Sequence, residues 1–118
     1  MTLRRLKTYT AQTGYVYQYY FVGKRRALPN ETAGTEYVFD VSADRKTTFA
    51  VSVFVSDAAT AAWSSTHGRA LREPEEYAAA KLRLQAGFDE IPDMITAGRR
   101  LSLDGAQLTD FLAGIGVD

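Results

Sequence analysis

The spacing of apolar and polar positions changes character near residue 56. Before it, apolar side chains alternate. Tyr15, Tyr17, Tyr19 and Phe21 face away from Val16, Gln18, Tyr20 and Val22, and the alternation resumes with Tyr37, Phe39 and Val41, then with Phe49, Val51, Val53 and Val55. A repeat of two in segments rich in aromatic and β-branched residues is the mark of a strand with one buried face. Strands are predicted at about residues 4–10, 15–23, 35–42 and 47–55. The segments between them, Ala11-Gln12-Thr13-Gly14, Gly23 to Gly34 with Pro29 and Asn30, and Ala43-Asp44-Arg45-Lys46, have turn composition.

Turn length decides which face each side chain takes. A four-residue connection pairs Thr10 with Tyr15. That register sends Leu6 to the core face with Tyr15, Tyr17, Tyr19 and Phe21, and leaves Arg5, Lys7 and Tyr9 on the outer face. The same length after the third strand would set Asp40 across from Phe49 and split the two apolar sets. A three- or five-residue connection with a bulge is therefore predicted there.

After Val55 the repeat becomes helical. Ser56 or Asp57 can cap a helix over about 57–67 that carries Ala59, Ala62 and Trp63 and stops at Gly68. A second, over about 74–90, has Pro74, Glu75 and Glu76 in its first turn and a stripe of Tyr77, Ala80, Leu84, Phe88 and Ile91. Asp104 with Gln107 reads as a capping box for a third, over about 105–114, which buries Leu108, Phe111 and Leu112. Strands first and helices afterwards predict an α+β fold. The expectation is an antiparallel β-meander of three to four strands with three helices packed on one sheet face, as a single domain over residues 1–118. The other face is left open with Arg5, Lys7, Tyr9, Val16, Gln18, Tyr20, Val22, Val38 and Phe54, more apolar than a solvated surface needs.

Composition narrows the chemistry. The chain has no cysteine and one histidine, His67, which excludes disulfides, thiolate metal sites and two-histidine zinc motifs within one chain. No cofactor is expected. No apolar stretch has the length to span a bilayer, so the expectation is a cytoplasmic protein with no membrane partner. Charge is uneven: Arg4, Arg5, Lys7, Lys24, Arg25 and Arg26 make the first 30 residues +6, and the remaining 88 hold 8 basic against 14 acidic residues. Either the two parts neutralise each other on folding, or the basic part meets an anionic partner.

Three functional readings follow. In the first, the protein is a noncatalytic module that forms a homodimer through the open sheet face, with Tyr20, Val22, Val38 and Phe54 as anchors. In the second, Arg5, Lys7, Arg25 and Arg26 grip an anion or a single-stranded nucleic acid whose bases stack on Tyr9 and Tyr20. In the third, Trp63, His67 and Arg69 line the mouth of a small-molecule pocket or active site. Against this last, a histidine at a helix end is accounted for by the last-turn carbonyls. Glu73, Glu75 and Glu76 are accounted for by their place at a helix N-terminus. Asp89, Glu90 and Asp93, at the far end of that helix, have no such account. Gly98-Arg99-Arg100 is a second short basic cluster that lacks a phosphate-loop spacing.

Overall fold

The computed structural model describes residues 5–118, so the predicted start of the first strand at Arg4 lies outside the described residues. The fold is α+β, and the sheet has five strands in the order β1-β2-β3-β4-β5. Lys7–Thr10 (β1), Val16–Ala27 (β2), Gly34–Ser42 (β3) and Phe49–Ser56 (β4) form the predicted antiparallel meander, but β2 runs four residues past its predicted end at 23, because Lys24 to Ala27, expected in a loop, pair with Gly34 to Tyr37. Helices Asp57–His67 (α1), Glu73–Glu90 (α2) and Gly105–Gly114 (α4) fall within one residue of their predicted limits. Ser56 is the cap of α1, accepting from the Ala59 amide at 3.1 Å, and Gly68 ends it in left-handed backbone at φ 71°. The capping box at α4 is closed in both directions, with Gln107 N donating to Asp104 Oδ1 at 2.7 Å and Asp104 N to Gln107 Oε1 at 3.1 Å.

Two elements go beyond the prediction. A single helical turn, Met94–Ala97 (α3), is capped by Asp93, which accepts from the Thr96 amide. Arg100–Leu103 (β5) then runs parallel to β4, pairing Val53 with Leu101 and Val55 with Leu103. The sheet is therefore mixed, because the chain returns to it after three helices, a crossover long enough to bring β5 alongside β4 in the same direction. Leu101 and Leu103 are buried with the helices, while Arg100 and Ser102 are exposed on the other side.

The first hairpin corrects the predicted faces. Five residues, 11–15, separate Thr10 from its partner Val16, so Tyr9 sits opposite Tyr17 and Lys7 opposite Tyr19, on the helix side rather than the outer side. The Ala11 amide donates to the Tyr15 carbonyl at 2.8 Å and the Gly14 amide to the Ala11 carbonyl at 2.9 Å, and this closes the longer loop. Tyr15 is left outside the strand and 55% exposed, not in the core, and Leu6 is likewise 55% exposed. Between β3 and β4 the parity is as predicted. Val41 pairs with Phe49 with seven residues between them, an odd number, but the connection is longer than three or five because Asp44 folds it around its own carboxylate. That carboxylate accepts from the amides of Lys46 and Thr47, both at 2.9 Å, which holds its pKa down to about 2.

The core lies between the sheet and the helices. Phe88 of α2 is fully buried, stacked on Tyr17 at 4.3 Å between ring centres, with Tyr9 and Tyr19 at 5.9 and 5.8 Å. Asp89, one residue on, accepts from the Tyr9 hydroxyl at 2.6 Å and the Gln12 amide at 2.9 Å. This supplies the account of Asp89 that local sequence lacks: it ties the first hairpin to the end of α2.

Burying so many phenols has a consequence at high pH. The hydrogen bond to Asp89, then burial, pushes the Tyr9 pKa from 10.0 up to about 12, and burial also raises Tyr17, Tyr37 and Tyr77. A folded-state pKa above the unfolded one means that these groups stabilise the fold fully below pH 10, and that the stabilisation is lost as pH rises to about 12. Thermal melts are expected to fall steeply across that window, less so in Tyr9→Phe. Spectrophotometric titration showing every tyrosine ionising near its free value in the folded protein would contradict this.

Candidate functional site

The three sets of residues singled out by sequence have different fates. Trp63, His67 and Arg69 do come together at the end of α1, but they fill the space between themselves. The His67 ring stacks on Trp63 at 4.0 Å between centres, and its Nδ1 lies 2.8 Å from the Trp63 carbonyl oxygen. The Arg69 guanidinium lies 4.9 Å from the centre of the Trp63 ring, and both its terminal nitrogens donate to Glu75 at 2.9 Å. Glu75 also accepts from the Arg72 amide, and with Arg69 this lowers its pKa to about 2. The cluster is a clasp between α1 and the start of α2.

Arg5, Lys7, Arg25 and Arg26 do not converge. Lys7 and Arg26 lie on the helix side of the sheet and Arg25 on the outer side, as their partners Tyr19, Thr35 and Glu36 show. Three of the six basic residues of the +6 segment are paired with acidic residues of the fold. Arg26 holds Asp57 through two hydrogen bonds of 2.9 and 2.5 Å, Lys24 pairs with Glu73, and Arg25 Nε donates to Glu36 at 3.0 Å. Tyr9 is spent on Asp89, and the Tyr20 hydroxyl donates to Asp40 at 2.7 Å. Where Lys24 and Arg26 meet the helices, half-buried Glu76 has its pKa raised. Burial outweighs the two cations, and Asp57 and Glu73 add to the rise.

The anchors Tyr20, Val38 and Phe54 do share the open face, with Val22 beside them. A bulge at Val22, between the pairs Phe21 with Phe39 and Gly23 with Val38, puts this extra residue out of the ladder and leaves it 41% exposed. The face divides into two parts. One is the outer side of the β1–β2 hairpin, with Thr8, Thr10, Val16, Gln18, Tyr20 and Val22. The other is a groove of about 1010 Å³ whose floor includes Val38, Ser52 and Phe54.

Two walls make the groove. The loop after β2 contributes Pro29, Asn30 and Thr32; Asn30 and Glu31 both take left-handed backbone, at φ 49° and 65°. Residues 99–104 form the opposite wall and bring in Arg99 and Arg100. Phe54 reaches its place because position 34 is glycine: a Cβ there would lie 2.5 Å from both the Phe54 ring and the Val55 carbonyl oxygen. Arg99 is held by Nε donating to the Ala50 carbonyl at 2.5 Å, with its guanidinium 5.5 Å from the Phe49 ring centre.

Sequence reasoning left Arg99 and Arg100 as a basic cluster beside Gly98, outside any predicted element, and missed the wall they make. The signal was present as the short alternation Arg100-Leu101-Ser102-Leu103, two leucines between two polar residues, beside a strand with room for a neighbour. Among the described residues, no group of three or more acidic or histidine side chains is placed to hold a metal ion, and no helix is long and apolar enough to cross a membrane. The chain matches no protein-family model, no curated protein and no solved structure, so what the open face does is argued from its own chemistry.

Proposed function

We propose that the protein is a cytoplasmic, noncatalytic interaction module that pairs with a second copy of itself through the outer side of the β1–β2 hairpin. One observation carries this reading. Of the seven most exposed large hydrophobic side chains among the described residues, three belong to this hairpin and its approach, Leu6, Val16 and Val22, while Tyr15 turns to the helix side beside Tyr17 and Met94. Exposed apolar side chains scattered singly need no explanation, but a cluster on one supersecondary unit does. Tyr20 lies among them, its ring positioned by the Asp40 hydrogen bond, and Val38 lies across the ladder from the bulge.

A second copy is the favoured occupant because the surroundings carry both signs of charge. Arg25, Glu36 and Asp40 flank the patch, so a two-fold contact brings opposite charges together without a foreign partner. A stable dimer buries about 800 Å² per partner. That is roughly a tenth of the 7122 Å² of accessible surface. His67, the one histidine, is engaged by Trp63, which favours a binding role over acid-base chemistry.

Size-exclusion chromatography with light scattering at about 100 μM, a concentration that detects any micromolar dimer, tests the pairing. The expected mass is twice 13.0 kDa for the wild type and 13.0 kDa for Val22→Lys, with unchanged circular dichroism. A strictly monomeric wild type overturns the reading, and a Val22→Lys protein that still pairs moves the contact off the hairpin.

A further inference from the structure

We infer that the groove on the β3–β5 half of the open face is a binding site for a small organic anion with a flat apolar body, its charged end held by Arg99 and Arg100. The inference does not rest on self-association, which is centred on the β1–β2 half of the face; Arg25, Glu36 and Val38 lie where the two halves meet.

Charge decides the class of ligand. Five charged residues line the groove: Arg25, Glu36, Arg99, Arg100 and Asp104. Glu36 is already paired with Arg25. Asp104 accepts from the Gln107 amide and offsets the positive end of α4. What is left uncompensated is positive and lies on one wall. Arg99 lines the groove and is anchored through Nε, with its guanidinium near Phe49, so it has little rotamer freedom to lose. Arg100 is exposed on the outer side of β5, opposite Ser52. Two guanidinium groups on adjacent residues, one immobilised, suit a carboxylate, sulfonate or phosphate, because each offers paired donors to paired oxygens.

The floor decides the rest of the ligand. Phe54 and Val38 are only half-buried and lie on adjacent strands, so an aromatic or alicyclic body can lie on them while its anionic end reaches the arginines. Serine hydroxyls at Ser52 and Ser102 add polar contacts without opposing charge. A groove of about 1010 Å³ lies at the upper end of the usual range for small-molecule sites.

The probe for the test is 8-anilinonaphthalene-1-sulfonate, an aromatic body with one sulfonate, titrated by fluorescence and by calorimetry. The expected result is saturable binding of one probe per chain. Loss of one charge-assisted contact should weaken it by about ten-fold or more in Arg100→Ala. N-phenyl-1-naphthylamine, the same body without the sulfonate, should bind about ten-fold or more weakly for the same reason. Phe54→Leu should also weaken the probe, whereas Val22→Lys should leave its affinity unchanged, and all variants should retain wild-type circular dichroism. No saturable binding, equal affinity in Arg100→Ala, or loss of binding in Val22→Lys overturns the assignment. So does tighter, steeply salt-dependent binding of a thymidine oligonucleotide, which would give the groove to a nucleic-acid strand. Oligomeric mass is read separately, so failure here and failure of the pairing are distinguishable.

Discussion

Replacing Phe88 with alanine is expected to cost the fold about 3–5 kcal/mol, the usual range for emptying a fully buried aromatic position. The site has little means to collapse. Tyr17 is stacked flat on the ring with 6° between planes, Tyr9 and Tyr19 approach from the sides, and the hydroxyls of the last two are tied to Asp89 and Gln85. Those hydrogen bonds hold the tyrosines at the edge of the cavity, so they cannot follow the missing ring inward without leaving a polar group unpaired. For a chain of this size the melting temperature should fall on the order of 10–20 °C. Phe88→Leu, which keeps apolar volume and loses only the stacked geometry, should fall by clearly less. A Phe88→Ala protein within about 1 kcal/mol of wild type in urea would mean that α2 does not pack on the hairpin as described.

Gly34→Ala is expected to have the next largest effect, about 1–3 kcal/mol or more, because the added methyl meets main chain as well as side chain. The Phe54 ring can swing away, but the Val55 carbonyl oxygen, 2.5 Å from the new carbon, belongs to the β3–β4 ladder and moves only if the strands part. The two contributions can be separated. Gly34→Ala in a Phe54→Ala background should be destabilising by less than in the wild type, the difference being the ring clash and the remainder the backbone clash. The same substitution should weaken the sulfonate probe, since the ring that forms the floor of the groove is displaced. Wild-type stability in Gly34→Ala would remove the reason given for Phe54's position.

The layout was legible where one physical signal dominated. Period-two aromatic and β-branched runs located β2, short of its last four residues, and β3 and β4, the turn at 11–14 located β1, and capping residues located α1, α2 and α4 nearly to the residue. Parity alone required an odd spacing between Val41 and Phe49. What failed was turn length. One residue more in the first hairpin than assumed carried Tyr9 and Lys7 across the sheet, and the main-chain bonds between Ala11, Gly14 and Tyr15 that fix that length have no strong composition signal. β5 was hidden because four residues are too few for a periodic signal, and because the strand exists only through its pairing with β4. The open face was foreseen from Tyr20, Val22, Val38 and Phe54. Its division into a hairpin patch and a groove was not, since the groove's walls come from a loop and from that unforeseen strand.

β5 also sets a schedule for folding. The meander and the first two helices are synthesised before Arg100–Leu103, so from its completion until β5 emerges β4 is an edge strand with Val51, Val53 and Val55 alternating beside unpaired main chain. Pairing across some fifty residues of intervening chain is slow compared with closing a hairpin. During that interval the nascent protein offers other chains a ready template for strand addition. Crowded, fast expression should therefore trap it in aggregates that slower synthesis avoids, and a second copy of the segment 100–103 supplied in trans would compete for the same exposed edge.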